Sequence, residues 1–164
     1  MAERKGTRNM TAGSLTWSDF TVGDSFTSGG RTITECDIVG FAGLTGDGSP
    51  IHLDREFAAA TDFGQRIAHG LLGLSYAHGL MMGSGLFRDC ALAFLGLSSW
   101  NFTAPIMIGD TIHVDYHIKD LRLRRTRDDQ GIATFDVDVC NQRNEVVQSG
   151  TKAILMRTTQ EVTR

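Results

Sequence analysis

The chain is predicted to be an α+β domain, with one antiparallel sheet and a buried helix on one face. Three observations predict it. The second half alternates apolar and polar residues with a strand period. The segment His69 to Gly85 is apolar on every side of a helical wheel. The order of elements is strand, helices, then four strands joined by short turns. A length of 164 residues with 41% hydrophobic content suits one domain with a real core. We take residues 1–14, polar and carrying Arg4, Lys5 and Arg8, as a flexible tail, and 15–160 as a single domain.

Val22 to Phe26 reads as a turn into a first strand ending near Ile33. Thr34 is placed to cap a helix with Glu35 and Asp37 in its first turn and Ile38, Phe41 and Ala42 on its apolar face. That helix runs out near Thr45. Gly46 to Pro50 reads as a tight loop, and Asp54 caps a short helix through Phe57. In the helix from His69, the glycines Gly70, Gly73, Gly79 and Gly83 each cost about 1 kcal/mol against Ala. They suit a helix whose backbone must approach a sheet closely.

Ile112, Val114, Tyr116 and Ile118 alternate, and the phase then slips to Leu121 and Leu123, which predicts a bulge near Lys119. Phe135, Val137 and Val139 alternate again, and Val146 to Met156 forms another strand. Turns are expected at Asp128 to Gly131 and at Asn141 to Glu145. Ser98 to Phe102 ends a further strand before Pro105.

The formal charge of −3 carries no footprint of a nucleic-acid binder. No apolar run reaches the roughly 18 residues of a membrane helix, and no signal peptide is visible. Cys36, Cys90 and Cys140 lie far apart without a CxxC, which argues against a disulfide framework or a cysteine zinc site. A cytoplasmic, reducing location follows as the expectation. His113 and His117 share a strand face about 13 Å apart, too far to share one metal, so neither a metal nor a cofactor is expected. The basic run Arg122, Arg124, Arg125, Arg127 reads as a solvated strand end, with contact to coenzyme A phosphates as the alternative.

The segment Asp47-Gly48-Ser49-Pro50-Ile51-His52-Leu53-Asp54 concentrates the chemistry. Ile67-Ala68-His69-Gly70-Leu71-Leu72 follows and opens the buried helix. A carboxylate and an imidazole on one water can take a proton from it and return one elsewhere. Gly70 at the helix start offers an unpaired N–H and the positive helix end to a developing oxyanion. These are the parts needed to add water across a double bond conjugated to a carbonyl.

The pattern Asp-x-x-Pro-Ile-His-x-Asp followed by Ile-Ala-His-Gly resembles the MaoC-like dehydratase family, which includes the (R)-specific enoyl-CoA hydratases. Phe41, Gly46-Asp47, Phe20 to Asp24 and Pro105 to Thr111 match as well, so the resemblance runs from about residue 17 to about 156. It implies a hot-dog fold, a sheet wrapped around one long helix and paired with a second subunit as a homodimer or an oligomer of dimers. It implies an acyl-CoA thioester substrate, Asp47 and His52 as the catalytic pair and Gly70 N–H as the oxyanion donor. Ile51, His69 and Leu71 would then contact substrate. Ser49 stands where asparagine is common in the family, which bears on how the loop is held.

His69 is open to two readings, a helix-start residue or a pocket wall. His78 is likewise a core histidine or, with Ser75, a pocket residue. Two rival functions also stand: a hot-dog acyl-CoA thioesterase, and a non-catalytic acyl-thioester-binding subunit.

Overall fold

The computed structural model describes residues 15–158, and the tail assigned to 1–14 lies outside them. Strand β1 (Ser25–Thr27) and strand β2 (Arg31–Thr32) are followed by helices α1 (Glu35–Thr45), α2 (Pro50–Leu53), α3 (Arg55–Ala59) and α4 (Gly70–Gly83). Strands β3 (Ala91–Phe102), β4 (Thr111–Arg124), β5 (Arg127–Cys140) and β6 (Val146–Arg157) complete the chain. The antiparallel sheet runs β1-β4-β5-β6-β3, with β2 also on β4.

The expected first strand is interrupted. β1 pairs with residues 115–117 of β4 and β2 with residues 111–112. Between them Ser28 takes over the ladder, its N–H donating to Val114 O and its Oγ accepting from Val114 N–H, both at 2.9 Å. α1 starts as predicted. Thr34 and Asp37 form a reciprocal capping box, and Gly46 ends the helix in the left-handed conformation at φ 79°. Arg31 and Tyr76 both bond the Asp37 carboxylate and so tie β2, α1 and α4 together. Burial opposes the charge on Asp37, but hydrogen bonds from Tyr76, Thr34 and Arg31 outweigh it and hold the carboxyl well below the usual range.

The β4 pattern is realised: Ile112, Val114, Tyr116 and Ile118 are all buried, and the register shifts between Ile118 and Asp120. Beyond the bulge Leu121 packs on the core, but Leu123 is 60% exposed. The expected turn at Asp128 to Gly131 is strand; the chain reverses between Arg124 and Arg127 instead. Arg127 pairs with Asp129 and Arg124 donates to the Gln130 amide, so two of the four arginines bond within their own hairpin.

α4 departs from expectation in one respect. Leu72, Gly73, Ala77 and Met81 are buried, but Leu71 is 59% exposed and Ser75 is also exposed. An all-apolar helix has one face uncovered in the single chain. The edge strand β3 exposes Leu92, Phe94, Leu95 and Phe102, of which Phe94 lies against His78 and Phe102 against Gly70 of α4. Close approach explains two of the four glycines. A Cβ on Gly73 would fall 2.3 Å from Gln148 Nε2 and 2.6 Å from Ile106 Cδ1, and one on Gly70 would fall 2.8 Å from the Phe102 ring. Gly79 and Gly83 meet nothing within 4 Å.

Candidate active site

The Gly46 turn ends α1 and throws Asp47 into an exposed loop. Pro50, predicted as loop, instead starts the one-turn helix α2, where its fixed φ suits the first helical position. His52 therefore stands on α2 and not on a loop. Its Nδ1 lies 2.8 Å from Ile67 O. A carbonyl only accepts, so Nδ1 is the donor, which makes Nε2 the nitrogen that can take a proton from water.

His69 is the N-terminal cap residue of α4 and only 2% exposed. Its Nε2 donates to Asp47 O at 3.0 Å, which ties the loop to the helix start. Its ring stacks on His52 with centroids 3.8 Å apart, and Phe41 lies 5.1 Å away. Among the described residues His69 Nδ1 is buried without a partner. Donor atoms of Asp47, His52 and His69 come within 4.8 Å of one another, as do those of His113, Asp115 and Cys140; either group has atoms of the type that hold a metal ion. Stacked imidazoles send their in-plane lone pairs along near-parallel planes, which suits water activation better than shared coordination of one ion.

A pocket of about 590 Å³ opens beside His52 and Gly70, with Phe63, Leu71, Phe102 and Gln148 among its walls. Gly70 is the first residue of α4, so its N–H has no acceptor within the helix. Its backbone is not left-handed; the reason for glycine here is the Phe102 ring against its Cα. Gln148 is 2% exposed and donates from Nε2 to Gly70 O at 3.0 Å, while its Oε1 accepts from Trp100 Nε1.

The structure thus brings Asp47, His52, His69 and Gly70 together. Leu71 lines the pocket. Ile51 is half-buried and its carbonyl accepts from Ile67 N–H; it stitches the loop and does not line the pocket. Ser75 turns its hydroxyl back onto Leu71 O. His78 lies farther along α4 against Lys152. Gln148, Phe102 and Lys152 escaped the sequence reading. The one available signal was two polar residues, Gln148 and Lys152, in the inward phase of an apolar strand.

Comparison with known proteins places these observations in a family. A family model for the MaoC-like domain matches residues 19–139. The 3-hydroxybutyryl-CoA dehydratase of Methylorubrum extorquens is 42% identical over 100 residues, which cover 59% of this chain and 60% of that protein. The (R)-specific enoyl-CoA hydratase of Aeromonas caviae is 32% identical over 70% of this chain and 79% of its own length. In fold, the chain superposes with a TM-score of 0.76 on a Mycobacterium tuberculosis protein described as a double hot-dog fold, at 17% identity, covering 92% of this chain and 46% of that one. The match spans less than two thirds of the dehydratase. The chain has the hot-dog fold and belongs to the MaoC-like domain family.

Proposed function

We propose that the protein is a hydro-lyase that reversibly hydrates a 2-enoyl-CoA thioester to the 3-hydroxyacyl thioester, with the (R) configuration of its hydratase relatives. The observation that carries this reading is the gathering of Asp47, His52 and His69, with ligand atoms within 4.8 Å of one another, at the edge of a largely apolar pocket that His52 and the helix-start Gly70 line. His52 Nε2 takes a proton from water that Asp47 orients. The oxygen adds at C3 as the thioester oxygen gathers enolate charge. Gly70 N–H, at the positive end of α4, stabilises that charge, and a proton returns at C2. Dehydration runs the same steps backwards. His69 carries no proton of the reaction here; it holds the Asp47 loop and the His52 ring.

A homodimer belongs to this reading. Among the described residues β3 ends the sheet with an unpaired edge that exposes Leu92, Phe94, Leu95 and Phe102, and Phe94 and Phe102 lie against α4 at His78 and Gly70. A second copy on this edge would continue the sheet and roof the pocket. Cys36, Cys90 and Cys140 are free thiols, which supports a reducing, cytoplasmic compartment. Among the described residues no helix is long and apolar enough to cross a membrane.

The test is a panel of enoyl-CoA thioesters followed by loss of enone absorbance, with free thiol measured in parallel. Loss of the double bond without thiol release is the expected result. Thiol release with the double bond intact would make the protein a thioesterase.

A further inference from the structure

One polar cluster on α4 is unused by the hydration chemistry. Lys152 lies on the inward face of β6 and is 2% exposed. Its ammonium donates to His78 Nδ1, lies 3.6 Å from Met81 Sδ and sits 5.4 Å from the Phe94 ring centre. Among the described residues no carboxylate lies within ion-pair distance of it. A lysine that merely lends its stem to the core carries its head out to water. This one is covered by the tilted ring pair of His78 and Phe94. An ammonium has three donors, and a buried one is rare without an anion. Burial pushes Lys152 down to about 8, so at neutral pH it still carries its charge for most of the time. His78 is held below its ordinary value by burial and then by the Lys152 charge, so it stays neutral and accepts.

The cluster lies on the same helix and strand that give the pocket its Gly70, Leu71 and Gln148 walls. Gln148 and Lys152 share one face of β6, four residues and about 13 Å apart. Gly70 and His78 are eight residues and about 12 Å apart on α4. Gln148 bonds Gly70 and Lys152 bonds His78, so two links of β6 to α4 bound a seam that starts at the oxyanion donor. Between the links α4 presents Leu71, Leu74 and Ser75, which are exposed or half-buried in the single chain.

We propose that Lys152 and His78 are the far end of the acyl site and bind a carboxylate at the distal end of the acyl chain. The preferred substrates are then ω-carboxylated enoyl thioesters long enough to span the seam. A carboxylate supplies the missing counter-charge and takes the ammonium donor left over by His78 Nδ1 and Met81 Sδ. The proposal rests on the hydratase reading for the position of the thioester.

The test is calorimetric binding of saturated acyl-CoA thioesters of increasing length, each as an ω-carboxyl and ω-methyl pair, to the intact protein. At the spanning length the carboxyl partner binds about tenfold or more tightly. Lys152→Met removes that preference, and His78→Leu, on the half-exposed rim, weakens it. Equal or tighter binding of the methyl partner at every length overturns the proposal, as does a preference that survives Lys152→Met. Weaker self-association of Lys152→Met, with no ligand preference in the parent, would assign the counter-ion to a second copy and overturn it too. Enone hydration is read separately: a carboxyl preference without hydration leaves this subsite standing and defeats the hydratase reading.

Discussion

The two ends of α4 meet polar groups in opposite ways. At its start, His52 and His69 each give their one N–H to a backbone carbonyl, Ile67 O and Asp47 O. These bonds fix the orientation of both rings and leave His52 Nε2 clear of the backbone. Two turns farther on, Lys152 is a buried cation with a neutral imidazole and, among the described residues, no carboxylate. The first cluster is held by the backbone, with His69 Nδ1 its one buried atom without a partner among the described residues. The second is left electrostatically incomplete, and its charge costs stability until an anion arrives.

The largest expected effect breaks the first cluster. Asp47→Asn or His52→Ala should each lower hydratase turnover by about 10²–10⁴-fold while leaving the fold unchanged by circular dichroism. Near-parental kcat/KM in either variant would remove the pair from the mechanism.

The second cluster should respond in stability. The unfolded chain keeps the Lys152 proton up to its ordinary 10.5, whereas the folded chain keeps it only up to about 8. Between those values the unfolded state binds more protons, so stability rises with pH. The cost of the charge is fully present below about 8. It is of the order of 3 kcal/mol. Lys152→Met should therefore raise the urea midpoint at pH 7, with a smaller gain above pH 10. An equal shift at both pH values would mean that packing, and not charge, limits the parent protein.

Two glycines sharpen the same contrast along the helix. Gly73→Ala drives a methyl into Gln148 and Ile106 and should cost about 1–3 kcal/mol, displacing Gln148 from Gly70 O. Gly79→Ala enters open space and should stabilise the helix by about 1 kcal/mol, the smallest effect. Destabilisation by Gly79→Ala, read from a concentration-dependent Tm, would mean that a second copy packs on that face.

Much of this was legible along the chain. Thr34 with Asp37, Asp54 at its helix and the β4 alternation act over a few residues, and local rules reach that far. Pro50 was misread because the same fixed φ serves a loop or a helix's first turn. The reversal at Arg124 to Arg127 was misplaced because Asp128-Asp129-Gln130-Gly131 carries stronger turn residues than the hairpin actually uses.

The sequence by itself determined the α+β class and the long apolar helix, and it set out the Asp47-x4-His52 spacing, because each is written within one segment with a recognisable period or spacing. Only the tertiary structure decided that His69 stacks on His52, that Gln148 holds Gly70 from a strand 78 residues away, and that Lys152 faces His78 across 74 residues. Those contacts arise from which strand lies beside which helix, and hydrophobic period, which specifies inward or outward, carries no information about the neighbour met there.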